Sequence, residues 1–250
     1  MKKTFMGKLT LLTFTIFTLF FSFVSISIVS ADKIVQISSK EDKKTGILKF
    51  EKKLQLELGE LDEKGRATGA HIQLQKNDLP TVTREPKINV DPVGWHNYKF
   101  FYGDGSKQSW LMNRGHLIGY QFSGLNDELK NLVPMTAWVN TGNYEGTNIN
   151  NKKSILYYET KLIKWLNDNP DKWLDYKVTP IYSKKNYLIP DKIELRYVAI
   201  NNNGKREKIK LGGEERHKKD IGIVTLKNTS PNAKLDYKEG TAENTIKKAK

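Results

Sequence analysis

The strongest helical period in the chain runs over residues 153–167, and segments of alternating polarity lie on both sides of it. Ile155, Leu162, Ile163 and Leu166 fall on one side of that stretch at helical spacing, and Pro170 closes it. Upstream, residues 54–58 and 70–75 alternate apolar and polar side chains, as half-buried strands do. Residues 98–102 and 108–111 flank Gly103-Asp104-Gly105-Ser106 and read as strand, turn, strand. Downstream, residues 177–182, 193–200 and 221–226 read as further strands. Strands, loop, helix, strands is the order of an α+β fold, not of an alternating βαβ series.

The remaining segments read as connections. Residues 32–53 are polar and lysine-rich and are expected to be a flexible start. Residues 79–97 hold Pro80, Pro86 and Pro92 and suggest an ordered loop; residues 125–151 are loop-like and rich in Asn. The polar stretch from Asn228 onward is expected to be a mobile tail. There is no internal repeat. The expectation is one domain over 32–250 with its core at about 54–226.

The chain has 250 residues, 38% hydrophobic and 10% aromatic, so it can bury a core and is not a disordered polyelectrolyte. The absence of Cys excludes a disulfide scaffold, thiol catalysis and thiolate metal sites. At the N-terminus, Lys2, Lys3 and Lys8 precede an uncharged, strongly apolar run over 9–31 that ends Val29-Ser30-Ala31. That is the pattern of a secretory signal peptide with cleavage after Ala31, set against an uncleaved membrane anchor. Its removal lowers the formal charge from +14 to +11. A secreted protein this basic attracts polyanions: nucleic acid, anionic glycans, wall polymers or membrane surfaces.

Charge gives affinity, not chemistry. The sequence has no phosphate-binding loop of the Gly-x-x-x-x-Gly-Lys-Ser/Thr type, no His-Glu-x-x-His and no Gly-x-Ser-x-Gly elbow. Of four histidines, His71 reads as a packed or exposed strand residue, His96 as a loop residue and His217 as solvated. His116 differs, because it is expected to end the strand–turn–strand unit, just past Arg114-Gly115. Gly115 permits close backbone approach, and Arg114 offers a fixed fork for a phosphate or an internal carboxylate. Glu159 lies inside the apolar stripe of the helix, where an acid needs a partner if buried. A ribbon delivering a His, followed by a helix delivering oxygen groups, suits a compact nuclease site.

Asn113-Arg114-Gly115-His116 resembles the Asp-Arg-Gly-His signature of the DNA/RNA non-specific endonucleases, ββα-metal nucleases of the His-Me finger group. Asn131-Leu132-Val133-Pro134-Met135-Thr136 and Val139-Asn140-Thr141-Gly142-Asn143 resemble the segment that follows it, and Glu159 resembles the family's helical acid. Residues 65–70, Gly94-Trp95-His96 and Gly119-Tyr120 are also similar to the streptococcal secreted and phage-borne deoxyribonucleases (streptodornases). The resemblance covers roughly residues 54–200, and it rests on the ordered set of motifs.

The resemblance implies a ββα-metal core on a central antiparallel sheet, and roles for individual residues. His116 corresponds to the general base, Asn140 to the single protein ligand of the metal, and Glu159 to the acid that orders the metal's waters. Asn131 corresponds to a supporting hydrogen-bond position, and Arg84 is a weaker match to an upstream substrate-binding arginine. Mg²⁺ is the implied cofactor, with Mn²⁺ as an alternative ion. Two positions depart from the pattern. Asn113 stands where the signature has Asp and retains only hydrogen bonding. Ile163 stands where the family has a basic residue one turn after the helical acid, leaving Lys161 or Lys164 to substitute. The implied activity is a secreted, Mg-dependent, non-specific deoxyribonuclease, acting as an extracellular virulence factor and leaving 5′-phosphate ends. Its partner is DNA, with RNA a second candidate. The expected form is a monomer without stable membrane association after signal cleavage. The competing reading is a non-catalytic extracellular protein that binds nucleic acid or another polyanion.

Overall fold

The computed structural model describes residues 41–42 and 44–250. The expected signal peptide (1–31) and the first part of the expected flexible start lie outside the described residues.

In chain order the strands and helices are β1 (Gln55–Leu58), β2 (Ala70–Leu74), β3 (Lys99–Tyr102), β4 (Lys107–Trp110), β5 (Met112–His116), α1 (Tyr120–Ser123), β6 (Leu132–Thr136), α2 (Ala137–Asn140) and α3 (Ile155–Asp168). There follow β7 (Trp173–Ile181), β8 (Lys192–Ile200), β9 (Arg206–Glu207), β10 (Arg216–Lys218), β11 (Ile221–Lys227), β12 (Ala233–Asp236) and β13 (Thr241–Asn244). The central sheet runs β1-β2-β7-β8-β11-β10, with β9 also on β8, and every pairing in it is antiparallel.

Strand side chains alternate between faces, and the sequence uses this to build two cores. Ile72, Leu74, Leu174, Tyr176, Val178, Leu195 and Tyr197 are buried in the larger core with Ile155, Tyr158, Leu162 and Leu166 of α3. The opposite face carries Trp173, Val198, Ile200 and Ile221, covered by Ile47 and Phe50. Part of the expected flexible start therefore has a packing role: Glu41 bridges Leu48, and Ile47 and Leu48 are buried.

α3 starts where expected because Ser154 caps it, its hydroxyl accepting from Tyr157 N–H at 3.3 Å. Glu159 is buried on its inner side, as its place in the stripe predicted.

β3 and β4 pair with each other, but the strand that ends at His116 does not join them; β5 pairs with β6, inside the stretch expected to be loop. All of β6 is buried, so it shows no alternation, and Pro134 within it disguises a strand. The expected tail forms the antiparallel pair β12–β13, and Asn228, Ser230 and Asn232 are buried. Its polar residues are spent on backbone pairing: Asn244 accepts from Phe101 N–H at 2.9 Å and donates to Phe101 O at 3.0 Å. Ala249 N–H donates to Gly105 O at 3.0 Å, so the last residues line the β3–β4 turn.

Candidate active site

The β5–β6 ribbon places His116 at its end, with Leu132 opposite. The strands approach closely because residue 115 is Gly: a Cβ there would lie 2.7 Å from the Met135 side chain. His116 is 8% exposed, and its Nε2 lies 2.9 Å from the backbone oxygen of Asn126. A carbonyl only accepts, so Nε2 carries the proton and the neutral ring keeps its lone pair on Nδ1. Burial holds the imidazole below its ordinary value of 6.5; the nearby Arg84 charge acts the same way, while the Asn126 carbonyl opposes them. Neutral His116 at neutral pH is what a proton acceptor requires.

Just past His116, the chain is pinned from two sides. Asn131, fully buried, exchanges two 2.9 Å hydrogen bonds with Ile118, accepting from its N–H and donating to its oxygen. Glu159 reaches from α3 and accepts from Gly119 N–H at 2.9 Å and Gln121 Nε2 at 2.6 Å, with the Tyr176 hydroxyl at 3.4 Å. Burial raises the Glu159 carboxyl to about 7, against the pull of these donors.

Asn140 ends α2 and is half-buried; its carboxamide makes no hydrogen bond to another described residue. Among the described residues no group of three or more His, Asp or Glu could hold a metal ion. A cage of charged ligands is therefore absent there. The donor set suits a hard cation that keeps most of its water and takes one neutral oxygen from protein, as Mg²⁺ does.

The other sequence-predicted residues divide. Arg84 reaches the site: its Nε donates to Asn126 Oδ1 at 3.2 Å, on the residue whose carbonyl holds His116. Arg114 shares a strand face with His116, but its guanidinium pairs with Asp91 at 2.6 Å and lies 4.4 Å from the Trp95 ring centre. Of the two partners open to Arg114, the internal carboxylate is the one present. Asn113 points to the other face, lining a groove with Trp110 and Thr141. Lys161 donates to Leu211 O at 2.7 Å, and Lys164 pairs with Asp168 at 2.7 Å, so each is engaged elsewhere than with His116 or Glu159. Sequence reasoning missed Asn126, Gln121, Tyr176 and Asp91. Tyr176 had a signal, since alternation in β7 turns it inward beneath α3, whose buried acid needs donors.

A ββα unit with a buried histidine and a helical acid beside it defines a nuclease class. Residues 49–201 match the family model for DNA/RNA non-specific endonucleases. Among solved structures, an extracellular nuclease is 44% identical, with a TM-score of 0.66 over 84% of this chain and 100% of that one. An extracellular endonuclease is 45% identical, with a TM-score of 0.65 over 80% of this chain and 90% of that one. The magnesium-bound NucA from Streptococcus agalactiae shares the fold at 20% identity, with a TM-score of 0.57 over 77% of this chain and 79% of that one. No curated protein matches the chain. The chain belongs to the DNA/RNA non-specific endonuclease family, and its substrate is nucleic acid.

Proposed function

We propose that this protein is a secreted, Mg²⁺-dependent endonuclease that hydrolyses DNA with little sequence preference and leaves 5′-phosphate and 3′-hydroxyl ends. The observation that carries the reading is the His116–Asn126 pairing, which fixes the proton on Nε2 and leaves Nδ1 as the base. His116 Nδ1 takes a proton from a water molecule, which attacks phosphorus in line as the bond to the 3′ oxygen breaks, and that oxygen takes a proton from a second water to leave as the 3′-hydroxyl. Asn131 holds the backbone behind His116 and keeps the ring in place. Asn140 would hold the cation through its carboxamide oxygen, and Glu159 would order the surrounding water. A divalent ion there, Mn²⁺ included, supplies positive charge where the phosphate gains negative charge. Arg84 binds a substrate phosphate, and Asn113, whose amide makes no hydrogen bond to another described residue, is left to contact substrate from the groove it lines. Arg114 acts as a positioning residue, held by Asp91 and Trp95. Contacts to phosphate and sugar rather than base edges account for low sequence preference.

Export supports the extracellular setting: the basic head and apolar run over 9–31 read as a cleaved signal, leaving a monomer without stable membrane association. Among the described residues no helix is long and apolar enough to cross a membrane. The extracellular setting and the basic charge are also what a virulence factor acting on host-derived DNA would need.

The test is digestion of plasmid DNA by mature protein with Mg²⁺, with and without EDTA, beside His116→Ala. Chelator-sensitive cutting that the variant lacks is expected, with end-labelling showing 5′-phosphates. Retarded but intact DNA would instead establish the binding-only alternative, and 3′-phosphate products would overturn the proposed geometry.

A further inference from the structure

Trp110 is 53% exposed, at the end of β4, where the sequence had only to complete a hairpin. Isolated exposed apolar residues are common on protein surfaces and by themselves mean nothing. Three features set this one apart. Lys99, directly opposite in the register of β3, holds its ammonium 5.3 Å from the indole centre. The indole lines a groove of about 370 Å³ with Gln108, Asn113, Thr141, Tyr144 and Glu145. The hairpin beneath it is fixed, because Asn232 and Asn244 both pair with the Phe101 backbone of β3.

The groove takes in chain neighbours of two site residues, on the face of β5 opposite His116. Asn113 is the first residue of the tetrapeptide that ends in His116, and Thr141 directly follows Asn140. Its charge is mixed: Lys99 and Glu145 both line it and both are exposed, Lys107 stands exposed nearby on the hairpin, and Glu145 accepts from the Tyr102 hydroxyl at 3.2 Å. A phosphate in the groove would meet Glu145 as well as Lys99, so the acid offsets the attraction of the lysine. A base, which is uncharged and has two flat faces, suits the interior. The volume is at the small end for ligand pockets, about 300–1,000 Å³.

We propose that this groove is a subsite for one unpaired nucleobase beside the scissile phosphate, with Trp110 as its stacking platform and Lys99 facing the adjoining phosphate. The proposal rests on the nuclease reading above and narrows its substrate: a strand that is single, or locally opened, gains a contact that a closed duplex withholds. Stacking is tolerant of sequence because every base has an aromatic face, so the subsite favours unpaired strands without selecting a sequence.

The test uses full mature protein carrying His116→Ala, so that the probe is not cut, with oligothymidylate, the same strand in duplex, and a strand of equal length made of abasic sites. Trp110→Ala and Trp110→Leu are expected to weaken oligothymidylate binding about five- to hundredfold. Trp110→Phe, which keeps a ring, is expected to lose less than about threefold. Duplex binding is expected to fall less than single-strand binding in each variant. The abasic strand is expected to bind equally well whether the indole is present or removed by Trp110→Ala, a result that general surface damage would not produce. Equal binding of oligothymidylate with and without the indole, or an equal loss on the abasic strand, overturns the subsite. Plasmid digestion by the unmutated protein runs in parallel. If it cuts and Trp110 has no effect, only the subsite falls; if it does not cut, the nuclease reading falls first.

Discussion

The backbone N–H of Gly119 donates to Glu159 Oε1 at 2.9 Å, so the long helix grips the chain three residues beyond His116. A Cβ at position 119 would lie 2.5 Å from Glu159 Oε2 and 2.6 Å from Gln121 Nε2. Gly119→Ala is therefore expected to displace the carboxylate and cut hydrolysis about 10- to 100-fold, the usual effect of disturbing groups that orient a metal's surroundings. Plasmid digestion rates with a thermal melt on the same sample check this. Wild-type rates in the variant would make the contact incidental.

Replacing His116 by Ala removes the proposed base, and hydrolysis is expected to fall by about 10²–10⁴-fold. Its acidity is set partly by Arg84, whose charge helps hold the ring below 6.5. A base works in its neutral form, so a lower pKa extends activity toward acid. Arg84→Ala is expected to move the acid limb of kcat/KM upward in pH while also raising KM. An unmoved limb would remove Arg84 from the electrostatics of the site.

A second charged group lies behind the sheet. Burial alone would lower His71, but Asp175 at 2.7 Å and Glu41 at 3.1 Å outweigh it and hold the imidazole up at about 8, from 6.5. A raised pKa stabilises the fold fully below pH 6.5, and the gain is lost as pH rises through about 8. The hydrogen bond from His71, aided by Lys177 against the cost of burial, holds Glu41 at about 2, from 4.5. Its contribution is present above pH 4.5 and fades as pH falls toward 2. Melts across pH 5 to 9 are expected to lose about 2 kcal/mol on the alkaline side, and His71→Gln is expected to abolish that slope. An identical slope in the variant would assign it to other groups.

Asn228 ties the end of the chain to the catalytic ribbon. It accepts from Thr136 N–H at 3.0 Å and donates to Pro134 O at 3.0 Å and Pro190 O at 2.8 Å. Asn228→Ala leaves these buried groups unpaired and is expected to cost on the order of 3 kcal/mol. Denaturant unfolding measures it, and a loss under about 1 kcal/mol would mean that the segment repacks.

The sequence made visible whatever depends on local period or on a motif with its own chemistry. The α3 stripe, the alternating strands and the tetrapeptide ending in His116 are of this kind, and Glu159 was conspicuous because an acid interrupted an apolar face. What stayed hidden depends on partners distant in the chain. β6 lacks alternation because both of its faces are covered, so its pairing with β5 could not be read from period. The C-terminal strands look like solvated tail because their asparagines serve backbone groups of β3 and β6 that lie far back in the chain. Arg114 offered two partners by its chemistry alone, and only the position of Asp91 selects one.

The dependence of β3 and β6 on Asn228, Asn232 and Asn244 imposes an order of events on biosynthesis. A ribosome delivers the histidine ribbon long before it delivers the residues that complete the ribbon's edges. A polypeptide cut short ahead of position 228 would carry every residue of the signature motifs and still leave Thr136, Pro134 and Phe101 without the side chains that satisfy them. Completion of the ribbon's edges thus waits for residues made well after His116.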